Sequence, residues 1–412
     1  MRILVAEDER ITRMTLARQL QVWGHEVVAA EDGQQAWEQF EVGPEFDIVL
    51  TDWEMPRLSG LEFVRRIRQA ARSAYTYLVI LTSRSDKADV VNGIEAGADD
   101  FVSKPFDREE LRVRLLAGER VVRLERALSR QNAELRDANE RIRFGLEAAA
   151  RVQRSMLPRH NIVTPHVRTA WKYVPTDELA GDAIGLHLID DRYLVAYVLD
   201  VSGHGVPAAL LSVTAMHTLE PEPAEASLLR DPTRADPDLG TVQRPARVAS
   251  ELNRRFRAGE NDGRYFTMVL CVLDTYCGQL RIASAGHPPP FLLRGGESLP
   301  VPDAGGFPIA MVDGAEYEDG VVRLLPGDRL CLFSDGLIEQ TRGAEEEQFG
   351  APRILHSLAS RGTVPPEEQV TQVLDDFGAW AGTSTFTDDV SLVVIEWMGD
   401  GTQSRRRPGG RG

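Results

Sequence analysis

Ile48-Val-Leu-Thr-Asp52-Trp-Glu-Met55-Pro56-Arg-Leu-Ser-Gly60 decides how the N-terminal part of this chain is read. Ile48 to Leu50 is a continuous apolar run, as expected of a strand buried on both faces of a parallel sheet. The run ends at a carboxylate, Asp52, and a helical pattern follows from Leu61 to Ala70. The same layout recurs on both sides. Ile3 to Ala6 runs into Glu7 and Asp8, Val27 to Ala30 forms a further run, Leu78 to Leu81 runs into Thr82, and Phe101-Val102 precedes Lys104. Strands alternating with helices from Met1 to about Gly118 predict a doubly wound α/β domain, whose ligands bind beyond the carboxyl ends of the strands.

The remainder of the 412 residues is too long for the same core, so a second domain and a connector are expected. Hydrophobic residues make up 42%, which suits globular domains. The net charge of -16 argues against non-specific nucleic-acid binding. Three cysteines, Cys271, Cys277 and Cys331, are too few for a disulfide framework, and they lack the paired CxxC spacing that argues for a zinc site. The N-terminus enters a strand without a signal-peptide layout, and no apolar run approaches a membrane span. A cytoplasmic protein that engages neither membrane nor nucleic acid is expected.

From Glu119 to about Leu157 the chain is rich in Arg, Glu, Ala and Leu. With Val121 at position a, the a sites are Val121, Leu128, Leu135, Ile142, Ala149 and Met156, and the d sites are Leu124, Gln131, Ala138, Gly145 and Val152. This heptad repeat fits either one amphipathic helix lying on a domain or a parallel two-stranded coiled coil. Its length and flanking charge favour the coil, and hence a homodimer. Pro158 stops the helix. Residues 158–398 then show short strands with turn signals and helices near Pro207 to Leu219, Pro245 to Arg257 and Glu368 to Trp380. That pattern predicts an α+β domain of two antiparallel sheets flanked by helices. Glu220 to Asp238, rich in proline and acid, reads as a mobile insertion, and residues 399–412 as a disordered basic tail.

Adjacent strands of a doubly wound sheet bring Glu7, Asp8 and Asp52 to one edge. Three crowded carboxylates repel and call for a hard cation, usually Mg²⁺. A carboxylate so neutralised can attack a phosphoryl group. Thr82 and Lys104, ending the next strands, are placed to hold phosphoryl oxygens. Ala6-Glu7-Asp8-Glu, Thr51-Asp52 through Pro56 to Gly60, Leu81-Thr82-Ser, Gly97-Ala-Asp-Asp100 and Phe101-Val-Ser-Lys104-Pro105 together resemble a response-regulator receiver domain, a flavodoxin-like fold. The resemblance implies phosphoacceptor Asp52, Mg²⁺ at Glu7, Asp8 and Asp52, switch residue Thr82, Lys104 on the phosphate, Phe101 as the switch aromatic, and a sensor histidine kinase as partner.

A second aspartate set lies further on: Gly181-Asp182, Asp200-Val201-Ser-Gly203-His204-Gly205, Ser-Asp335-Gly336 and Thr-Asp388-Asp389-Val-Ser. Carboxylates without a flanking Cys or His ligand set favour Mg²⁺ or Mn²⁺ over zinc. Two such ions can share and activate one water for attack on a phosphoryl group. No cysteine has the arginine spacing of a phosphate-cradling thiolate loop, and no Gly-rich Lys-Ser/Thr loop is present. With Ala150-Arg151-Val-Gln153-Arg-Ser-Met-Leu157-Pro158 and Ser284-Ala-Gly286-His287-Pro288, these motifs resemble the SpoIIE-type branch of the metal-dependent (PPM, 2C-type) protein phosphatases. The resemblance implies two metals held by Asp182, Asp200, the Val201 carbonyl, Asp335 and Asp388. It also implies a phosphoserine or phosphothreonine protein substrate, often a STAS-fold anti-sigma-factor antagonist. Asp389 reads as a supporting group. His204 and His287 read as turn-ordering residues, with general acid catalysis as the other possibility. Gly185 stands where relatives often carry an acidic or amide residue. That departure supports an alternative, a phosphorylation-controlled binding module whose phosphatase fold has lost catalysis.

Overall fold

The computed structural model describes residues 1–400 except 71–73, 84–86, 224–226, 234–235, 258, 303–304, 344–345 and 384–385. The basic run expected at Arg405 to Arg407 lies outside the described residues. The chain divides into two compact units, Met1–Arg141 and Ile142–Gly412.

In the first unit, β1 (Arg2–Ala6), β2 (Glu26–Ala30), β3 (Ile48–Asp52), β4 (Tyr77–Thr82) and β5 (Asp100–Ser103) form a parallel sheet in the order β2-β1-β3-β4-β5. Helices α1 (Arg10–Val22), α2 (Gly33–Val42), α3 (Gly60–Gln69) and α4 (Lys87–Glu95) alternate with the strands. The continuous apolar runs arise because separate apolar clusters cover the two faces of this sheet, one around Leu4, Val49 and Leu78, the other around Ile3, Leu50 and Val79. Ser59 starts α3 with a capping box: its hydroxyl accepts the Glu62 N–H while Glu62 reaches back to the Ser59 N–H.

A single helix, α5, runs Arg108–Met156, beginning eleven residues before the texture change at Glu119. Leu111, Leu115 and Val122 bury one side of its first part against the first unit. Within the second unit, Leu146 and Ala150 pack with Leu179 and Ala209. The a-position residues Leu128, Leu135 and Ile142 are 53%, 60% and 61% exposed, so the middle of the heptad stripe holds neither unit's core, whereas Val121 and Met156 at its ends pack against one core each.

The second unit contains two five-stranded antiparallel sheets. One comprises β7 (Ala183–Ile189), β8 (Tyr193–Val201), β9 (Phe266–Asp274), β10 (Gln279–Ala285) and β13 (Gly320–Arg323). The other comprises β6 (Val167–Val174), β11 (Phe291–Arg294), β12 (Glu297–Leu299), β14 (Arg329–Phe333) and β17 (Val390–Trp397). Helices α6 (Val206–Thr218), α7 (Pro245–Arg255), α9 (Gly350–Ala359) and α10 (Pro366–Ala381) flank them, α8 (Gly336–Glu339) is a single turn, and β15 (Thr341–Arg342) pairs with β16 (Glu347–Gln348). The largest apolar cluster joins inward residues of both sheets, including Tyr197, Leu270, Leu330 and Val393.

The segment read as a mobile insertion differs from that expectation. Leu228 and Leu229 are buried in the core, and Arg281 and Arg230 form ion pairs to Asp238 and to Glu222 and Asp190. Two buried leucines outweigh the Pro- and acid-rich composition around them.

Candidate phosphoacceptor and phosphatase sites

In the first unit, Glu7 and Asp8 follow β1 and Asp52 ends the neighbouring strand β3. Each of the three offers a carboxylate oxygen within 4.8 Å of the others, with Glu7 buried and Asp8 exposed. Lys104 Nζ donates to Glu7 Oε2 and to Asp52 Oδ2, both at 2.7 Å. Asp52 Oδ1 accepts the Trp53 N–H at 2.8 Å. Burial raises the Glu7 pKa above the ordinary carboxylate value, against the hydrogen bond from Lys104. Burial works against the Lys104 charge, yet its bonds to Asp52 and Glu7 prevail and raise its pKa. Thr82 is buried at the end of β4, and Phe101, with Arg114 over its ring at 5.7 Å, lines a small cavity with Thr82 and Trp53. Arg13, which the sequence reading did not single out, donates to the carbonyls of Glu7 and Asp8 at 2.7 and 3.0 Å and so fixes the acidic turn.

In the second unit, Asp200, Val201, Gly203, His204, Asp335, Asp388 and Asp389 line one cavity of about 600 Å³ with Tyr265 and Thr387. Asp182 is buried beneath them. Its Oδ2 accepts the Ser391 hydroxyl at 2.7 Å, and its Oδ1 is buried without a partner. Among the described residues, no Lys or Arg pairs with Asp182, Asp200, Asp335 or Asp388, and no three of these bring ligand atoms within 4.8 Å of one another. Burial, then repulsion from Asp335 and Asp388, pushes Asp200 up to about 8. Burial and Asp388 push Asp335 up to about 6, and burial raises Asp182 and Asp388. Buried Asp182 with its orphaned oxygen, half-buried Asp200 and Asp335 and exposed Asp388, with no Lys or Arg paired to them among the described residues, fit a divalent cation with oxygen ligands.

The loops that carry these aspartates are tied together by buried polar groups. Asp389 Oδ1 accepts the N–H and hydroxyl of Thr176, and Oδ2 accepts the Gly181 N–H at 2.8 Å. Gln153 of α5 donates to the Ala180 carbonyl at 2.7 Å and accepts the Ala180 N–H at 3.2 Å. Gly336 is required by close approach, since a Cβ there would lie 2.1 Å from the Asp389 carbonyl oxygen. The sequence quoted Gln153 and Ser391 inside motifs without a role; no sequence signal singled out Gln340, which bonds Thr387.

Two sequence expectations are refined here. His287 is buried, its Nδ1 paired with the Thr267 hydroxyl at 2.8 Å and its Nε2 with the Phe333 carbonyl at 3.0 Å. Burial pushes it down to about 3, and with Nε2 donating to the Phe333 carbonyl and Nδ1 taken by Thr267 it orders its turn and is not a free general acid. Gly185 lies opposite Tyr197 on β8, and a Cβ at 185 would sit 2.0 Å from the Tyr197 ring. The absence of an acidic side chain there follows from room taken by Tyr197.

Comparison with known proteins agrees with both halves. The family model for Stage II sporulation protein E (SpoIIE) matches residues 190–398, and that for the response regulator receiver domain matches residues 3–116. Chemotaxis protein CheY1 of Helicobacter pylori is 31% identical over 116 residues, covering 28% of this chain and 94% of CheY1. Transcriptional regulatory protein TrcR of Mycobacterium tuberculosis is 37% identical over 155 residues, 36% of this chain and 55% of TrcR. The SiaA-PP2C domain of Pseudomonas aeruginosa shares the fold, with a TM-score of 0.51 and 23% identity over 63% of this chain and 98% of that one. The chain belongs to the SpoIIE family and carries a response regulator receiver domain ahead of its PP2C-type phosphatase domain.

Proposed function

We propose that this protein is a two-component response regulator in which phosphorylation of Asp52 controls a metal-dependent protein serine/threonine phosphatase. The observation that carries the hydrolytic half is the cavity ringed by aspartates, with no Lys or Arg among the described residues paired to Asp182, Asp200, Asp335 or Asp388 and with Asp182 Oδ1 buried and unpartnered. Asp182, Asp200, the Val201 carbonyl, Asp335 and Asp388 would hold two Mn²⁺ or Mg²⁺ ions, and Glu7, Asp8 and Asp52 one Mg²⁺. Such ions, when bound, supply a water ionised near neutral pH and offset charge on phosphoryl oxygens. The chain's own groups do the positioning: Ser391 orients Asp182, Asp389 holds the Thr176 and Gly181 loops, and His204 and Gly203 line the entrance. The substrate is a phosphoseryl or phosphothreonyl protein, with a STAS-fold antagonist as the expected class.

In the receiver, an Asp52 oxygen takes the phosphoryl group of a sensor histidine kinase as the donor bond breaks. Lys104, already 2.7 Å from Asp52, pairs with the transferred group, Thr82 donates its hydroxyl, and Phe101 changes its packing. The exposed a row of α5 supports a parallel homodimer through that helix, and the continuous helix supports regulation of the phosphatase by the receiver. Among the described residues no helix is long and apolar enough to cross a membrane, in keeping with a cytoplasmic protein.

The test is turnover of a phosphopeptide or aryl phosphate with Mn²⁺, with EDTA, and by Asp335→Ala. Turnover that survives EDTA or the substitution refutes the hydrolytic reading. An Asp52→Asn chain whose activity responds to a phosphodonor as the parent does refutes control through Asp52.

A further inference from the structure

We propose that Gln340 is a positioning residue of the phosphatase centre, its buried amide tying the loop that carries Asp388 to the loop that carries Asp335. The inference rests on the phosphatase reading above. Asp335 leads into the single turn α8, and Gln340 caps that turn. The side chain is buried, and both ends of its amide bond neighbouring loops. Oε1 accepts the Thr387 N–H at 2.9 Å and the Thr387 hydroxyl at 3.2 Å, and Nε2 donates to the Thr341 carbonyl at 3.0 Å. The Gln340 carbonyl accepts the Phe349 N–H at 2.9 Å, which fixes the backbone from which the amide projects.

Thr387 lines the catalytic cavity and immediately precedes Asp388. Two bonds to one oxygen fix both the peptide plane and the side chain of Thr387, and hence the direction in which Asp388 leaves the chain. Asp335 sits five residues before Gln340 at the other end of the same turn. Asp335, Thr387 and Asp388 line the same cavity, so the bond from Gln340 to Thr387 joins the two loops that present these carboxylates to it. An amide suits this place better than a carboxylate. A carboxylate would lack the donor to the Thr341 carbonyl and would add charge beside Asp335, Asp388 and Glu339. Gln340 lies outside the lining of the cavity, so its action is through Thr387 and Asp388.

The experiment uses the full chain with Asp8→Asn in every arm, so that Mn²⁺ uptake reports the phosphatase unit. Gln340→Met keeps the length of the side chain and removes its donor and acceptor. Calorimetric Mn²⁺ affinity is expected to weaken by about tenfold or more, the range for groups that orient metal-holding residues. The Mn²⁺ concentration for half-maximal aryl phosphate turnover rises by the same factor, while kcat at saturating Mn²⁺ stays within about threefold. The melting temperature in EDTA stays within a few degrees. A loss of kcat and of melting temperature with an unmoved Mn²⁺ midpoint overturns the proposal, because it marks a purely structural role. Should Gln340→Met not fold, Thr387→Val at the exposed partner removes only the hydroxyl bond; an unchanged Mn²⁺ midpoint there overturns the proposal, and a weakened one supports it. If the unsubstituted arm neither takes up Mn²⁺ at this unit nor turns over substrate, the phosphatase reading fails, and this inference with it.

Discussion

Replacing Gln153 by leucine separates α5 from the phosphatase centre with little change in volume. In the parent, the Gln153 amide is buried and makes both of its bonds to one residue, Ala180, at 2.7 and 3.2 Å. The next N–H, that of Gly181, goes to Asp389, and Asp182 follows. Leucine leaves the Ala180 N–H and carbonyl buried with no partner. Each such group costs about 1–3 kcal/mol, so the pair costs about 2–6 kcal/mol. The loop 179–181 can avoid that cost by moving off the helix into water, and this displaces Asp182. A cost of about 2 kcal/mol shifts the balance from the working to the displaced arrangement about 30-fold. If these two bonds are what hold the loop, aryl phosphate turnover at saturating Mn²⁺ falls by more than about threefold. Hydrogen exchange at the Ala180 amide should accelerate in parallel, because its protecting acceptor is gone. Turnover within about threefold of the parent, or an Ala180 amide that remains as protected, would refute the claim that α5 holds this loop.

Three further outcomes follow from particular contacts. Gly185→Asp should lower the melting temperature of the phosphatase unit by about 3–10 °C, since its Cβ would press on the Tyr197 ring; an unchanged melting curve refutes the steric account. Leu128→Glu with Leu135→Glu puts charge on two exposed a positions, so sedimentation should shift from dimer to monomer with little change in melting temperature, and a surviving dimer refutes the coil. His187 is pushed down to about 4 by burial and its Nε2 has no partner, whereas the unfolded chain titrates at the ordinary 6.5. Its stabilising contribution is complete above pH 6.5 and is lost as pH falls toward 4, amounting to about 3 kcal/mol; His187→Leu should flatten melting temperature over that interval.

What the sequence made legible divides along a physical line. Glu7, Asp8 and Asp52 could be grouped because strand order in a doubly wound sheet follows from chain order, and a carboxylate at a strand end needs no side-chain detail to be located. The four phosphatase aspartates announced themselves through Gly-rich turns at strand ends. The groups that orient them did not. Gln153 reaches a residue 27 positions away, Gln340 one 47 away and Ser391 one 209 away. A hydrogen bond across such separations leaves no periodicity to read. Helix α9 was missed because it opens Gly350-Ala-Pro, which reads as a turn, and its apolar face shows only once Ile354 and Leu358 are packed. The 220–238 segment was misread because composition averages over a window, whereas burial is decided by single leucines.

The two aspartate clusters solve charge crowding in opposite ways, and the difference bears on what each can do. Lys104 gives the first cluster an internal cation, 2.7 Å from both Glu7 and Asp52. A carboxylate that is to act as a nucleophile is crowded by its acidic neighbours, and a resident ammonium in contact with it offsets their charge. Among the described residues the second cluster has no such lysine or arginine for its four principal carboxylates, and Asp200 is pushed up to about 8. Its carboxylates have no nucleophilic duty under the proposed chemistry; their task is to bind cations, for which an uncompensated negative site is the driving force. A lysine placed among them would compete for the same oxygens. That no Lys or Arg among the described residues pairs with Asp182, Asp200, Asp335 or Asp388 therefore suits that centre to cations, just as the presence of Lys104 suits the other to a nucleophilic carboxylate.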